Sequence, residues 1–412
     1  RTMKALLFRK SIPRYLLLKL LKSRRWIPQL APLSLSDVAA PESPTPQWVR
    51  IAPKLAGICG SDLATVSAKG SPYLAPMISM PFVMGHEVVG TVVEVGAQVR
   101  SVIPGDRVVI QPALGCTVRG IEPRCANCER GYEALCRNVT RGDISAGIQT
   151  GYCRDTGGGF GERLVAHESQ AYKVPADVDD RAGVLVEPFA CALHAALRVR
   201  PEPDQTVLVI GCGAVGLLTI AALRATGCTS RIVAVARHDH QGALAESLGA
   251  SELLASPRDV AERYRLWARV LNGESLRPDL GKPAVVGGAD VTFDCVASSD
   301  TIDDSLRFTA SGGTFVLVGM PGIPKGVDWT PMWFKALTVH AAYAYGTERL
   351  TEGRRQTFDL AIDLMRTWQD RLVPMVGPAF ELRQFRDAFA SALQTGRSGF
   401  AKTVFEIDGS NS

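Results

Sequence analysis

Between Thr206 and Leu217 the chain runs from an aliphatic stretch, Thr206-Val207-Leu208-Val209-Ile210, through Gly211-Cys212-Gly213-Ala214-Val215-Gly216 into a segment rich in Ala and Leu. Few folds accommodate that order. A strand without polar alternation, a glycine-rich turn and a helix together predict a parallel α/β unit whose strand is covered on both faces. Glycines there let backbone N–H groups approach a pyrophosphate at the positive end of the helix. Gly211, Gly213, Ala214, Val215 and Gly216 are therefore candidate dinucleotide-binding residues. The run Val207 to Leu223 is about the length of a short membrane span, but its three glycines spell a phosphate loop, which excludes that reading.

The next strand, Arg231 to Val235, should choose the cofactor. A site for NAD places Asp or Glu at its end to bond the ribose hydroxyls. Here Ala236 is followed by Arg237, His238 and His240, so a 2′-phosphate would meet a cation and no repulsion. The expectation is NADP(H) in preference to NAD(H); the alternative is that Arg237 stacks on adenine and either cofactor is accepted. Residues 289–296 and 312–319 read as further strands of the same sheet, and Val339 to Tyr345 as its last, edge strand.

Upstream, Val49 to Ile110 breaks into short strands separated by Gly and Pro, which suggests a compact β barrel. Two of its loops carry metal-type donors. Gly57-Ile58-Cys59-Gly60-Ser61-Asp62 offers a thiolate, a hydroxyl and a carboxylate, and Gly85-His86-Glu87 sets an imidazole beside a carboxylate. A catalytic zinc takes three protein ligands and keeps one position open; the alternative for either fragment alone is a buried Cys or His without metal. Cys116, Cys125, Cys128 and Cys136 follow, the last three spaced C-x2-C-x7-C. Four thiolates close a tetrahedral zinc site of the structural kind.

Taken in this order, Cys59-Gly60-Ser61-Asp62, Gly85-His86-Glu87, the cysteine lobe and the glycine-rich turn resemble the zinc-dependent medium-chain dehydrogenase/reductase family over nearly the whole chain. The resemblance implies a GroES-like β-barrel catalytic domain and a Rossmann cofactor domain with a doubly wound parallel sheet. Expected boundaries are residues 1–192 with a zinc lobe at about 115–137, residues 193–370, and a return at 371–412. It further implies a catalytic zinc on Cys59 and His86 with Glu87 or Glu187, the latter from Val186-Glu187-Pro188. Ser61 becomes the proton-relay hydroxyl, Asp62 the carboxylate that orients His86, and Val318 and Gly319 the backbone near the nicotinamide. Two departures stand out. Eight residues separate Cys116 from Cys125 where the family's usual gap is two, and Ala64 occupies the place of a relay histidine.

Composition bounds the rest. A chain of 412 residues can bury two ordinary cores. Its net charge of +5 is uneven: residues 1–25 hold nine Lys or Arg and no Asp or Glu, which leaves the body acidic and excludes a nucleic-acid-type balance. Arg1 and Thr2 precede Met3, which reads as the natural start. Ile12 to Trp26, basic and apolar, is absent from the family's first hairpin. It reads as a helix packed on the body or a partner subunit, with an anionic membrane surface as the alternative. Residues 33–48, rich in Pro and Ser, read as a loop.

Ten cysteines without a secretory signal point to a reducing compartment, by default the cytoplasm. Cys153 is a pocket-wall candidate, while His167 and His194 read as packing residues. The expected activity is hydride transfer between NADP(H) and an alcohol/carbonyl pair of secondary-alcohol, polyol or amino-alcohol type, in a homodimer or homotetramer. Apolar residues near Pro72 to Met80 and Pro331 to Phe334 lean towards a substrate less polar than a sugar. The alternatives are a zinc-free quinone or enone reductase and a non-catalytic NADPH-binding scaffold.

Overall fold

A computed structural model describes residues 2–21, 23–394, 396 and 398–407. Lys22 of the basic segment and Arg397 of the expected return at 371–412 lie outside them. The chain forms two units. The first holds residues 1–190, 345–398 and 402–412; the second holds residues 191–344 and 399–401.

The first unit is built on a sheet ordered Val376–Glu381, Lys402–Glu406, Trp48–Gly57, Glu87–Val95, Arg107–Ile110 and Ala171–Lys173, with Leu164–His167 also paired to Trp48–Gly57. Alternation along these strands turns Val49, Ile51, Val88, Val92, Val108, Ile110 and Phe405 into one core. Register positions the chemistry. Gly57 faces Glu87 on one side and Val404 on the other, so the loop after Gly57 opens beside both neighbouring strands. A second sheet sets Thr2–Phe8 between Leu33–Ala39 and Phe82–Val83. Residues 33–39 are thus a strand and not the loop expected from their Pro and Ser: Leu33 to Ala39 pairs in unbroken register with Phe8 back to Thr2. Backbone pairing to an apolar partner strand outweighs weak local propensity.

The second unit carries six parallel strands in the order Glu252–Leu254, Arg231–Val235, Thr206–Ile210, Ala289–Asp294, Thr309–Leu317 and Thr338–Ala341. This is the doubly wound arrangement, with strand order reversing beside Thr206–Ile210, where the glycine-rich turn sits. The edge strand is Thr338–Ala341, shorter than the expected Val339–Tyr345.

The chain rejoins the first unit at Tyr345, not at residue 371 as expected. The reason lies in a hairpin, Thr347–Leu350 with Gly353–Gln356, and the helix after it. Thr347 donates to the carbonyl of Gly131 at 3.3 Å, and Tyr132 donates back to the carbonyl of Thr347 at 3.2 Å. Along the helix Thr357–Leu372, Arg366 pairs with Asp177 at 2.8 Å, and Phe358 stacks at a tilt on Tyr172. An amphipathic pattern shows that a helix packs, but not on which body.

Candidate active site

Cys59 ends the central barrel strand and caps the short helix Gly60–Val66. Its backbone N–H donates to Asp62 Oδ2 at 2.9 Å, and its sulfur accepts from the Asp62 N–H. That reciprocal box fixes the thiol and the carboxylate together. Gly85 presents the second donor pair. It lies at φ +96°, and a Cβ there would fall 2.6 Å from the Phe160 ring, so only glycine turns the chain and delivers His86 inward. The donor atoms of Cys59, His86 and Glu87 lie within 4.8 Å of one another, among buried or half-buried residues.

Asp62 Oδ1 faces His86 Nδ1 at 3.7 Å, which turns Nε2 towards the sulfur. Burial pushes the Asp62 carboxyl up to about 6, with His86 and the Cys59 N–H pulling it back. Burial alone would lower His86; Asp62, Cys59 and Glu187 overcome it and hold the imidazole at about 10. A positive charge is therefore favoured at this point by Asp62, Cys59 and Glu187 around it. Among the described residues, Ser61 Oγ and His86 Nδ1 are buried without a hydrogen-bond partner. A thiol, an imidazole and carboxylates clustered in this way fit a divalent metal of the zinc type.

Two residues that sequence reasoning missed complete the surroundings. Lys402 Nζ sits 2.7 Å from both Glu87 carboxylate oxygens, with lysine and glutamate almost fully buried. Burial opposes the ammonium, but Glu87 and Cys59 more than offset it and hold the lysine above its ordinary value. Glu87 also packs on bare backbone: a Cβ on Gly57 would meet its Oε2 at 2.0 Å. Tyr152 is the second. Its hydroxyl is 3.0 Å from Thr65 Oγ1, its ring lies beside that of His86 with centroids 6.1 Å apart, and Ser61 is near enough to act on the phenol. Burial, then the Asp62 charge, keeps this phenol well above its ordinary range, so it serves as a neutral hydroxyl. No sequence motif marks either residue. Glu187 is buried at the start of helix Val186–Arg198, where its charge reaches both His86 and Lys402.

The four lobe cysteines also converge, with all sulfurs within 4.8 Å. Cys116 belongs with the others despite its long spacing: its sulfur is 3.6 Å from that of Cys136 and accepts from the Cys125 N–H and Asn138 Nδ2. Zinc–sulfur bonds of about 2.3 Å in a tetrahedron put sulfurs about 3.8 Å apart, so the donor set fits that ion. Hydrogen bonding from Cys128 pulls the Cys136 thiol down to about 5, a poise towards thiolate. Cys153, by contrast, packs with Trp48, Leu114 and Val165 in a small core. His167 accepts from the Ser169 N–H, as a capping residue does.

In the second unit Gly213 caps the helix Ala214–Ala225. A Cβ on Gly216 would lie 1.8 Å from the Gly211 carbonyl, so the turn closes only with glycine. Arg237 and His238 stand exposed after the second strand, and the N–H groups of Val318 and Gly319 both donate to Asp294.

Comparison with known proteins meets this geometry. The family model described as alcohol dehydrogenase GroES-like domain matches residues 45–176, and that described as zinc-binding dehydrogenase matches residues 214–366. The chain belongs to the zinc-dependent medium-chain dehydrogenase/reductase family. It is an oxidoreductase acting on alcohols. Among its relatives, L-idonate 5-dehydrogenase of Vitis vinifera is 27% identical, covering 93% of this chain and 94% of that protein. L-threonine 3-dehydrogenase of Paraburkholderia xenovorans is 28% identical, covering 89% and 94%. A provisionally assigned zinc-binding dehydrogenase from Sinorhizobium meliloti 1021, bound to NADP, superposes with a TM-score of 0.69 at 25% identity, covering 98% of this chain and 99% of its own.

Proposed function

We propose that this member of the family uses zinc to exchange hydride between NADP(H) and a secondary alcohol, polyol or amino alcohol and its carbonyl partner. The convergence of Cys59, His86 and Glu87 donor atoms within 4.8 Å, with Glu187 close by, carries the reading. Zinc bound there supplies a Lewis acid that stabilises an alkoxide and polarises a carbonyl. The rest falls to the chain.

Cys59 Sγ and His86 Nε2 are the fixed ligands, and Asp62 keeps the imidazole oriented through Nδ1. Proximity alone would make Glu87 the third ligand. An ammonium 2.7 Å from both of its oxygens competes for the same lone pairs, which favours Glu187 as the metal carboxylate and Glu87 as the anchor of Lys402. Ser61 Oγ accepts the proton of the substrate alcohol. With Ala64 in the place of a relay histidine, Tyr152 and Thr65 offer the hydroxyls that carry it onward. A second zinc in the four-cysteine lobe is structural, because four thiolates leave no open position. Arg237, following Ala236 where a site for NAD would end the strand in Asp or Glu, supports NADP(H).

The substrate class follows the relatives named above, which act on L-idonate and L-threonine, both secondary alcohols. Metal quantification on fresh protein and an alcohol and carbonyl panel followed at the nicotinamide absorbance test the proposal together. About two zinc ions per chain with NADP(H)-dependent turnover is the expected result. Turnover without metal would favour an enone reductase, and metal without any turnover a scaffold.

A further inference from the structure

The basic segment folds as a helix, Ile12–Leu21, followed by the turn Arg24–Trp26, and it packs on the barrel in an unusual sense. Only Leu18 is buried. Tyr15 is half-buried and donates to the Thr65 carbonyl at 2.8 Å. The remaining apolar residues face outward: Ile12, Leu16 and Leu20, four apart on one stripe, are 63%, 61% and 78% exposed, with Leu17 and Leu21 flanking them. Trp26 is also exposed, its ring under the Arg25 guanidinium at 5.0 Å. A surface helix normally buries its apolar stripe; this one points it at solvent.

Charge around the stripe is of one sign. No Asp or Glu occurs before Asp37, and Lys10, Lys19, Arg24 and Arg25 are all exposed. A neighbouring loop adds Lys69, whose ammonium is lowered by burial and then by the nearness of Arg24. The same loop continues into exposed Tyr73 and Leu74. Among the described residues none of these five cations makes an ion pair.

We propose that this helix and turn seat the protein on an anionic lipid surface, with Ile12, Leu16, Leu20 and Trp26 at the boundary of headgroups and acyl chains and the cations on lipid phosphates. Charge complementarity selects that occupant. A second copy meeting this face across a two-fold axis would bring the basic cluster against itself. Nucleic acid would satisfy the cations but leave the apolar stripe wet. An interfacial helix uses both, lying in the plane of the membrane. No helix among the described residues is long and apolar enough to cross one.

Flotation of the full chain with phosphatidylcholine vesicles, with and without phosphatidylserine, tests this. The expected result is capture by the anionic vesicles, and at least about tenfold less capture on neutral vesicles or in high salt. Leu16→Ser with Leu20→Ser, and separately Arg24→Glu with Arg25→Glu, should each cut capture by about tenfold or more, with melting temperature and dehydrogenase activity unchanged. Equal capture on neutral vesicles, no capture at all, or full capture by both variants would overturn the proposal. So would dissociation of an oligomer by the leucine variant, which would assign the face to a second copy. Binding to duplex DNA that ignores the leucine changes, without vesicle capture, would assign it to nucleic acid.

Discussion

His86 sits where Asp62, Cys59 and Glu187 outweigh the cost of burial, and this has a consequence for metal-free protein. Its folded value of about 10 lies above the ordinary 6.5, so the bound proton stabilises the metal-free fold fully below pH 6.5. That contribution is lost as pH rises through about 10. Zinc needs the neutral ring, so the zinc-loaded protein lacks this dependence. Thermal melts of stripped and loaded protein from pH 6 to 10 should therefore diverge as pH rises, with the stripped form falling faster; parallel curves would refute the charge assignment. The two carboxylates are separable in the same material. Glu187→Gln should lower catalytic zinc content far more than Glu87→Gln, read by metal analysis against the lobe zinc as internal standard. Tyr152→Phe deletes one hydroxyl, worth about 0.5–1.5 kcal/mol as a hydrogen bond, so kcat should fall about 2- to 10-fold with zinc content unchanged. An unaltered kcat and pH profile would remove Tyr152 from the proton path.

Elements explain why these residues meet. The Cys59 loop opens between two strands because Gly57 pairs with Glu87 and with Val404, and Lys402 enters from the far end of the chain through that register. The lobe is a similar device on a smaller scale. It holds Gly131 and Tyr132, which bond the returning hairpin at Thr347. Cys116→Ser should reduce zinc by about one ion per chain and cost stability at the lower end of what structural metal sites supply, with protease cleavage appearing in the lobe and hairpin first. Loss of catalytic zinc instead would mean that the two sites had been confused. The strand Leu33–Ala39 shows the limit of local reading. Its Ser and Pro neighbours suggested a loop, yet it pairs along the whole of Thr2–Phe8.

At the scale of the molecule, the sheet order places the glycine-rich turn at the point where strand order reverses, the position at which such sheets bind nucleotides. Cofactor choice belongs here because it depends on the whole end of the sheet. Arg237→Ala should weaken use of NADPH by about tenfold or more, the value of a charge-assisted contact, and leave use of NADH nearly unchanged. Measured kcat/KM for both cofactors decides it, and equal losses would mean that Arg237 only stacks on the adenine.

Much of this was legible in residue order. The glycine spacing after an apolar strand, the Cys59 and His86 loops and the cysteine lobe identify themselves because each acts through neighbours a few positions away. Their local geometry needs particular residue types. The nearness of Glu187 to His86, the Lys402 partner of Glu87, the place of the Tyr152 hydroxyl and the outward leucines of the basic helix came only from folding. Each depends on contacts or exposure set by distant segments, and sequence separation carries no information about distance until strands have paired and packed.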